Sequence, residues 1–297
     1  MDSMTRGYYR LAAKNKFLEL KRQEFEAWVG DILTKSRAGD YENIRLTQGD
    51  GGLDGIILSQ AAVVAVNAPR NQTAGSLIKK IEGDFASAKK TLAERKVELE
   101  EFIFVHNDEG LTKETGAALM KLRKDHNVEV RSWTFESLWL ELEKLSNTQL
   151  EAMFGPSPTV ANVEQLQLTG IKDVIDHLVN LGVNPSPLDN LEIPDPEKLD
   201  YNQLDQAYRD MLRTSRTKHD LVRQYLEGVT AVGAGDAIAE AFRRKYAAQK
   251  EAGLEPDDIF LILWNFAGGN HFTKPFEHAA VTAILSYYFH SLSLIHI

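Results

Sequence analysis

The chain has 297 residues, 43% of them hydrophobic and 26% charged, which is enough for a substantial core in one large domain or two ordinary ones. The absence of cysteine excludes disulfides, thiolate zinc sites and a cysteine nucleophile. The net charge of -9 argues against a polycation that meets nucleic acid over its whole surface, but residues 1–158 carry 22 Lys and Arg against 24 Asp and Glu, whereas residues 159–297 carry 12 against 19. A phosphate backbone would therefore meet the first half.

The chain contains no apolar run of the roughly 18 to 20 residues that a membrane span needs, and its first ten residues lack the apolar stretch of a signal peptide. These observations predict a soluble, cytoplasmic protein.

The first half alternates helices and strands. Its predicted elements, from apolar periodicity and turn residues, are a helix at 14–36, strand runs at 41–47, 55–58 and 61–66, a helix at 77–92, a strand at 102–105, a helix at 114–124, a strand at 128–133 and a helix at 135–145. The first three strand runs fit an antiparallel meander, and the helical crossovers that follow require parallel pairing. We therefore predict a compact α/β domain over residues 1–150, with a mixed sheet flanked by helices and with sites at the strand ends.

The composition changes at the proline-rich segment 155–158, and β-like runs disappear after it. Helical patterns follow near 162–181, 198–228, 235–252, 256–265 and 275–290. The second half is therefore predicted to be an all-α domain. Its last helix is rich in aromatic and apolar residues, which favours a core position over a partner surface.

The last six residues, 292–297, read as the in-frame translation of a common library adapter. We expect them to be a tail of that origin and the natural chain to continue beyond Ser291.

A glycine-rich turn leads into the second strand run. Its sequence, GDGGLDGIIL at 49–58, places Asp54 at a turn that enters a β-hairpin, and the upstream helix carries Glu26. This arrangement resembles the Mrr-like restriction-endonuclease branch of the PD-(D/E)xK nucleases. The resemblance implies that Asp54 and Glu26 hold Mg²⁺ and that the ion aligns a water against the scissile phosphate.

The third strand departs from the nuclease pattern. An acidic residue or glutamine and then a lysine are expected there, but the chain has Ala65 and Asn67. Alanine cannot bind a metal and asparagine is no cation, so the resemblance favours the fold over catalysis. Asp50 and Arg70 could fill the gap. An ordinary Asp-Gly hairpin turn is the alternative explanation of the glycine-rich segment.

A second resemblance covers nearly the whole chain. It rests on GDGGLDGIIL, on Ala68-Pro69, on KKIEGDF at 79–85 and on FIFVHND at 102–108, and in the second half on Trp264 and the segment 275–289. Together these resemble proteins of the bacterial ABC-three-component systems. The resemblance implies a prokaryotic defence or conflict system, in which the chain works with an ABC-type ATPase and a small third component.

The predicted domains are a restriction-endonuclease-like domain at 1–154, a helical ABC-three-component carboxy-terminal domain at 155–291 and the tail at 292–297. Zinc is not expected, because the eight histidines are scattered.

Three hypotheses about function follow. In the first, a degenerate nuclease-like domain engages DNA through Arg70, Lys79, Lys80 and Lys89, and the helical domain assembles with the ATPase. In the second, the chain is an active magnesium-dependent endonuclease with a rearranged site of Glu26, Asp50 and Asp54, and with Asn67 in the lysine position. In the third, the helical half is an assembly module with an exposed patch around Trp264, Phe276 and Tyr288. A metal is expected only under the second.

Overall fold

The computed structural model describes residues 1–44, 53–68, 73–108, 110–181, 203–228 and 233–291. The chain divides into two compact units, which we call the sheet unit, Ala13–Leu150, and the helical unit, Met1–Ala12 with Glu151–Ile297. The sequence-based division had placed Met1–Ala12 with the first domain. The tail at 292–297 lies outside the described residues.

The predicted first helix, 14–36, is wrong in its bounds. The chain instead forms α1, Ser3–Glu19, and α2, Arg22–Ser36. The side-chain amide of Asn107 donates hydrogen bonds to the carbonyl oxygens of Phe17 (3.2 Å) and Leu20 (2.9 Å), so a residue about ninety positions away satisfies the last carbonyls of α1. Arg22, the first residue of α2, has a left-handed φ of +45°, so the chain turns where α2 begins.

The sheet unit contains a five-stranded sheet in the order β1-β2-β3-β4-β5. Its strands and the helices that follow them are β1 Tyr41–Asn43, β2 Gly55–Ile57, β3 Ala62–Asn67, α3 Ala74–Glu94, β4 Glu101–His106, α4 Lys113–His126, β5 Glu129–Trp133 and α5 Phe135–Leu142. The first three strands pair antiparallel, whereas β3–β4 and β4–β5 are parallel. The predicted meander and the mixed sheet flanked by helices are confirmed.

Strands β3 and β4 form the centre of the core. Val63, Ala65 and Phe104 are fully buried and pack with Ile81 and Phe85 of α3. Residues in alternate positions of the strands point to the other face of the sheet, where α2 packs against β3 and α5. Both strands are thus covered on both faces, which explains why they read as continuous apolar runs.

A buried carboxylate joins α2 to α5. Glu141, which is 4% exposed, accepts hydrogen bonds from Ser36 Oγ (2.9 Å), from Arg37 Nη2 (2.7 Å) and from Lys144 Nζ (2.8 Å). Burial raises the pKa of Glu141, but these donors outweigh it and hold the pKa below its usual value. The carboxylate is therefore charged and satisfied.

We expect Glu141→Ala to lower the free energy of unfolding of the sheet unit by about 3 kcal/mol, because Arg37 would keep a half-desolvated charge without its partner. Urea denaturation of the full chain measures the loss. Glu82→Ala, on the exposed face of α3, is the control and should change the stability by less than about 0.5 kcal/mol. Equal effects of the two variants would contradict the assignment.

In the described residues, the part of the helical unit from residue 151 onward forms helices and no strand. Its helices are α6 Asn147–Phe154, which begins in the sheet unit, α7 Val160–Glu164, α8 Leu168–Asn180, α9 Gln206–Ser215, α10 His219–Gly228, α11 Ala234–Glu251, α12 Pro256–Phe266 and α13 Pro275–Ser291. The predicted helix at 198–228 is wrong in its bounds. Residues 198–202 lie outside the described residues, and α9 and α10 are separated by a 3₁₀ turn at Arg216–Lys218.

Helix α13 is the centre of this unit, and α7, α8, α9, α10 and α12 all pack against it. Its residues from Ala279 to Leu285 are buried, which confirms the predicted core position. The exposed patch that would favour the assembly-module hypothesis is not formed, because Trp264 and Tyr288 are each only 2% exposed and Phe276 alone of the three is accessible. Within the described ranges, no helix is both long and apolar enough to cross a membrane.

Arg10, near the middle of α1, is an ionic centre of the helical unit. The side chain is 2% exposed, and its Nη2 lies 3.3 Å from Asp205 Oδ2 and 3.7 Å from Asp257 Oδ2. Asp205 also caps α9 by accepting from the amide of Ala207 (2.8 Å), and its own amide donates to Asp257 (2.9 Å). One guanidinium therefore binds the starts of α9 and α12.

Arg10→Met should destabilise the helical unit by about 3 kcal/mol, since it leaves two carboxylates without their buried cation. Thermal denaturation followed by circular dichroism tests this. Arg213→Met, which removes an exposed ion pair with Asp210, should cost less than about 1 kcal/mol. A stable Arg10→Met protein would show that the network does not hold the unit together.

Candidate functional site

Asp54 lies one residue before β2, where the register of the β2–β3 pair places it opposite Ala65. Its backbone extends the sheet, because its amide donates to Val64 O (3.0 Å) and its carbonyl accepts from the amide of Ile44 (3.1 Å). The carboxylate Oδ2 accepts a hydrogen bond from the amide of Val66 at 2.6 Å. The side chain of Asp54 is thus half-buried and fixed against β3.

The phenol of Tyr41, on the first strand, interacts electrostatically with Asp54. Burial raises the pKa of this phenol above its ordinary value, and the charge of Asp54 raises the pKa further, so Tyr41 stays protonated. Its ring lies so close to Gly55 that a Cβ at position 55 would overlap it. Glycine at this position lets the ring lie beside the carboxylate.

Gly55→Ala should destabilise the sheet unit by about 1 to 3 kcal/mol, because the added methyl overlaps the Tyr41 ring. The double variant Gly55→Ala/Tyr41→Ala should lose less than the sum of the two single changes, since the overlap is gone. Chemical denaturation of the four proteins measures the coupling, and simple additivity would show that the ring does not limit the residue at position 55.

The two departures from the nuclease pattern differ in their surroundings. Ala65 is fully buried among apolar side chains of the core that α3 covers. Asn67, at the end of β3, is half-buried, and its Nδ2 has no hydrogen-bond partner among the residues that the structure describes. The third strand therefore offers an amide, and no charge, at the carboxyl edge of the sheet.

His106 is the polar residue that sequence reasoning missed. It ends β4, pairs with Asn67 in the parallel register and is fully buried. Its Nε2 lies 2.8 Å from Ser132 Oγ on β5, and its Nδ1 has no partner within the described ranges. The sequence feature that could have identified His106 is its position directly after the apolar run at 102–105.

Burial lowers the pKa of His106 to about 4, so the ring is neutral near pH 7. It is a hydrogen-bonding group at this pH and not a cation. Together with Asn67 and Ser132, it makes the polar groups at the carboxyl edge of the sheet neutral ones.

The depressed pKa of His106 makes the stability of the sheet unit depend on pH. Between its ordinary value of 6.5 and about pH 4, the unfolded chain takes up a proton that the folded chain does not. The free energy of unfolding should therefore fall as the pH is lowered through this window, by up to about 1.4 kcal/mol per pH unit. Urea titrations at several pH values measure the slope. His106→Asn should flatten it, and an unchanged slope would contradict the assignment.

The metal site predicted from Glu26, Asp50 and Asp54 stays a prediction, because one of its three carboxylates lies outside the described residues. Glu26 is half-buried on α2. Asp50 lies outside the described residues, and so does Arg70. In the ranges that the structure describes, no three His, Asp or Glu side chains are grouped so that they could hold a metal ion.

The predicted DNA-binding lysines are spread along α3. Lys79 is exposed, and Lys80 forms an ion pair of 2.9 Å with the buried Asp84. Lys89, nearly three turns further on, has its Nζ 3.4 Å from Nδ1 of His126 on α4. Lys80 is thus partly neutralised within the helix, whereas Lys79 and Lys89 keep their charge at the surface.

The fold is that of a two-unit protein, with a mixed-sheet α/β unit and a helical unit built around α13. Residues 169–293, which are α8 to α13 and the two residues after them, match the model of a family described as C-terminal domain 10 of the ABC-three component (ABC-3C) systems. This match indicates a component of an ABC-3C system. No curated protein and no solved structure matches the chain. The match does not reach residues 13–150, where the likeness to restriction endonucleases stays a prediction.

Proposed function

We propose that the protein is a subunit of a prokaryotic defence system that engages DNA through the sheet unit and assembles with an ABC-type ATPase and a small third component through the helical unit. The observation that carries the proposal is the family match over α8 to α13. The sheet unit supports the DNA part, because its helix α3 has exposed lysines.

Apolar side chains on the surface of the helical unit are the candidates for contact with the ATPase. On α8, Leu168, Val179 and Leu181 just beyond it are 36%, 43% and 52% exposed, and Phe276 at the start of α13 is 46% exposed. Leu168 and Val179 are eleven residues apart and so lie on one face of the helix. Because α8 packs on α13, both helices can present these side chains to one partner.

Val179→Asp/Phe276→Asp should abolish co-purification of the chain with the ATPase encoded beside it, because the new charges would be desolvated at the interface. Met120→Asp, at a 75% exposed position on α4, is the matched control and should leave co-purification unchanged. Co-expression and affinity capture provide the readout. Failure of the unmodified protein to capture the ATPase would contradict the assembly part of the proposal.

The sheet unit is proposed to bind DNA without cutting it. Support comes from the apolar surroundings of Ala65, where a nuclease of this kind needs a polar ligand, and from the neutral amide of Asn67. The second candidate function is a magnesium-dependent endonuclease. The position of Asp54 favours this function, because a hydrogen bond from the amide of Val66 fixes its carboxylate beside β3. The ion would be held by Asp54 together with Glu26 and Asp50.

Incubation of the full chain with plasmid and linear DNA, in Mg²⁺ or Mn²⁺ and with or without the ATPase, separates the two functions. We expect retention of DNA and no cleavage. Asp54→Asn is the test variant, because its side-chain oxygen can still accept from the amide of Val66, and Glu82→Gln is the control. Cleavage that is lost only in Asp54→Asn would establish the endonuclease and overturn our expectation.

A further inference from the structure

Two helices on the same face of the sheet carry an excess of cations. Residues 74–96, which are α3 and the two residues after it, have six Lys and Arg against three Asp and Glu, and residues 113–126 of α4 have four against two. The whole chain has a net charge of -9. The α3–α4 layer is therefore a basic part of an acidic protein.

The two helices meet where these cations lie. The ring of His126, the last residue of α4, packs on the ring of Phe85 at 4.9 Å, and its Nδ1 is 3.4 Å from Nζ of Lys89. Lys90 is exposed next to this contact, and Lys121 and Lys124 are exposed on the last turns of α4. We call Lys89, Lys90, Lys121 and Lys124 the α3–α4 lysine cluster.

The lysines of the cluster are not paired with carboxylates. In the part of the chain that the structure describes, none of the four forms an ion pair. Cations of the helical unit are arranged differently, since many form pairs within one helix: Lys172 with Asp176, Arg213 with Asp210, Arg223 with Asp220, Arg244 with Glu240, and Lys274 with Glu277. Exposed carboxylates near the cluster are Glu94, Glu98 and Asp125.

The cluster lies away from the polar edge of the sheet. Helix α3 starts after the carboxyl end of β3 and returns to the amino end of β4, and α4 returns to the amino end of β5. Lys79 and Lys80 are therefore near the edge that holds Asp54, Asn67 and His106, whereas the cluster is towards the opposite edge. Since α3 has 21 residues, it is about 30 Å long.

We propose that the α3–α4 lysine cluster binds the phosphate backbone of duplex DNA at a place separate from the Asp54 site. The inference rests on the proposed engagement of DNA and assigns a surface to it. Lysines on flexible stems complement phosphates as point charges and read no base edges. Binding here is thus independent of sequence, falls steeply with salt and does not require Asp54.

The test is fluorescence anisotropy of a short labelled duplex with the full chain over a range of salt concentrations. One variant has Gln at all four cluster positions, a second is Lys79→Gln/Lys80→Gln, and a matched control on the helical unit is Lys172→Gln/Lys274→Gln. Glutamine keeps the helix propensity of lysine, and circular dichroism checks the fold.

We expect the cluster variant to lose at least about tenfold in affinity at low salt, and the slope of log affinity against log salt to shrink by about 0.9 for each phosphate that the variant no longer neutralises. The control should bind as the unmodified protein does. If the cluster variant binds normally while Lys79→Gln/Lys80→Gln does not, the inference is overturned and DNA engagement stands.

Two further outcomes contradict the inference in different ways. No binding of duplex by the unmodified chain at low salt would overturn both the cluster and the proposed DNA engagement. Preferential displacement of the duplex by unlabelled single-stranded RNA would show that the cluster binds RNA, which would overturn its assignment to DNA.

Discussion

Parallel pairing of β3 with β4 determines where the functional groups of the sheet unit lie. The two strands run in the same direction, so the connection between them must cross over the sheet, and α3 makes this crossover. Parallel strands end at the same edge, which brings Asn67 next to His106. The returning helices carry their last turns to the other edge, where Lys89 meets His126. The parallel β3–β4 pair thus places neutral polar groups at one edge of the sheet and exposed cations towards the other.

Electrostatics distinguish the two edges. At the carboxyl edge, burial keeps His106 neutral, and the carboxylate of Asp54 accepts from a backbone amide. These groups hold their hydrogen bonds in fixed directions. The lysines of the α3–α4 lysine cluster are exposed to solvent, which suits attraction of a phosphate backbone over a distance of about a Debye length.

The sequence predicted the elements well where a local period decides them. The apolar runs of β3 and β4 and the amphipathic pattern of α3 specify their own structure and the mixed sheet. Prediction failed where a distant residue decides. The break between α1 and α2 depends on Asn107, and the grouping of Met1–Ala12 depends on Asp205 and Asp257, about two hundred positions from Arg10. His106 was overlooked because a single histidine has no pattern, and its neutrality follows only from burial.

The division of α1 between the units has a consequence for how such chains are put together. Met1–Ala12 and the chain from Glu151 onward belong to one unit, so the sheet unit is, in topological terms, a guest inserted into a helical host. The family match starts at residue 169 and does not contain Arg10, which binds the starts of α9 and α12. An exchange of the sheet unit that keeps the helical unit would have to replace the internal segment between residues 12 and 151. Joining a different α/β domain to residue 151 end to end would remove Met1–Ala12 from the helical unit.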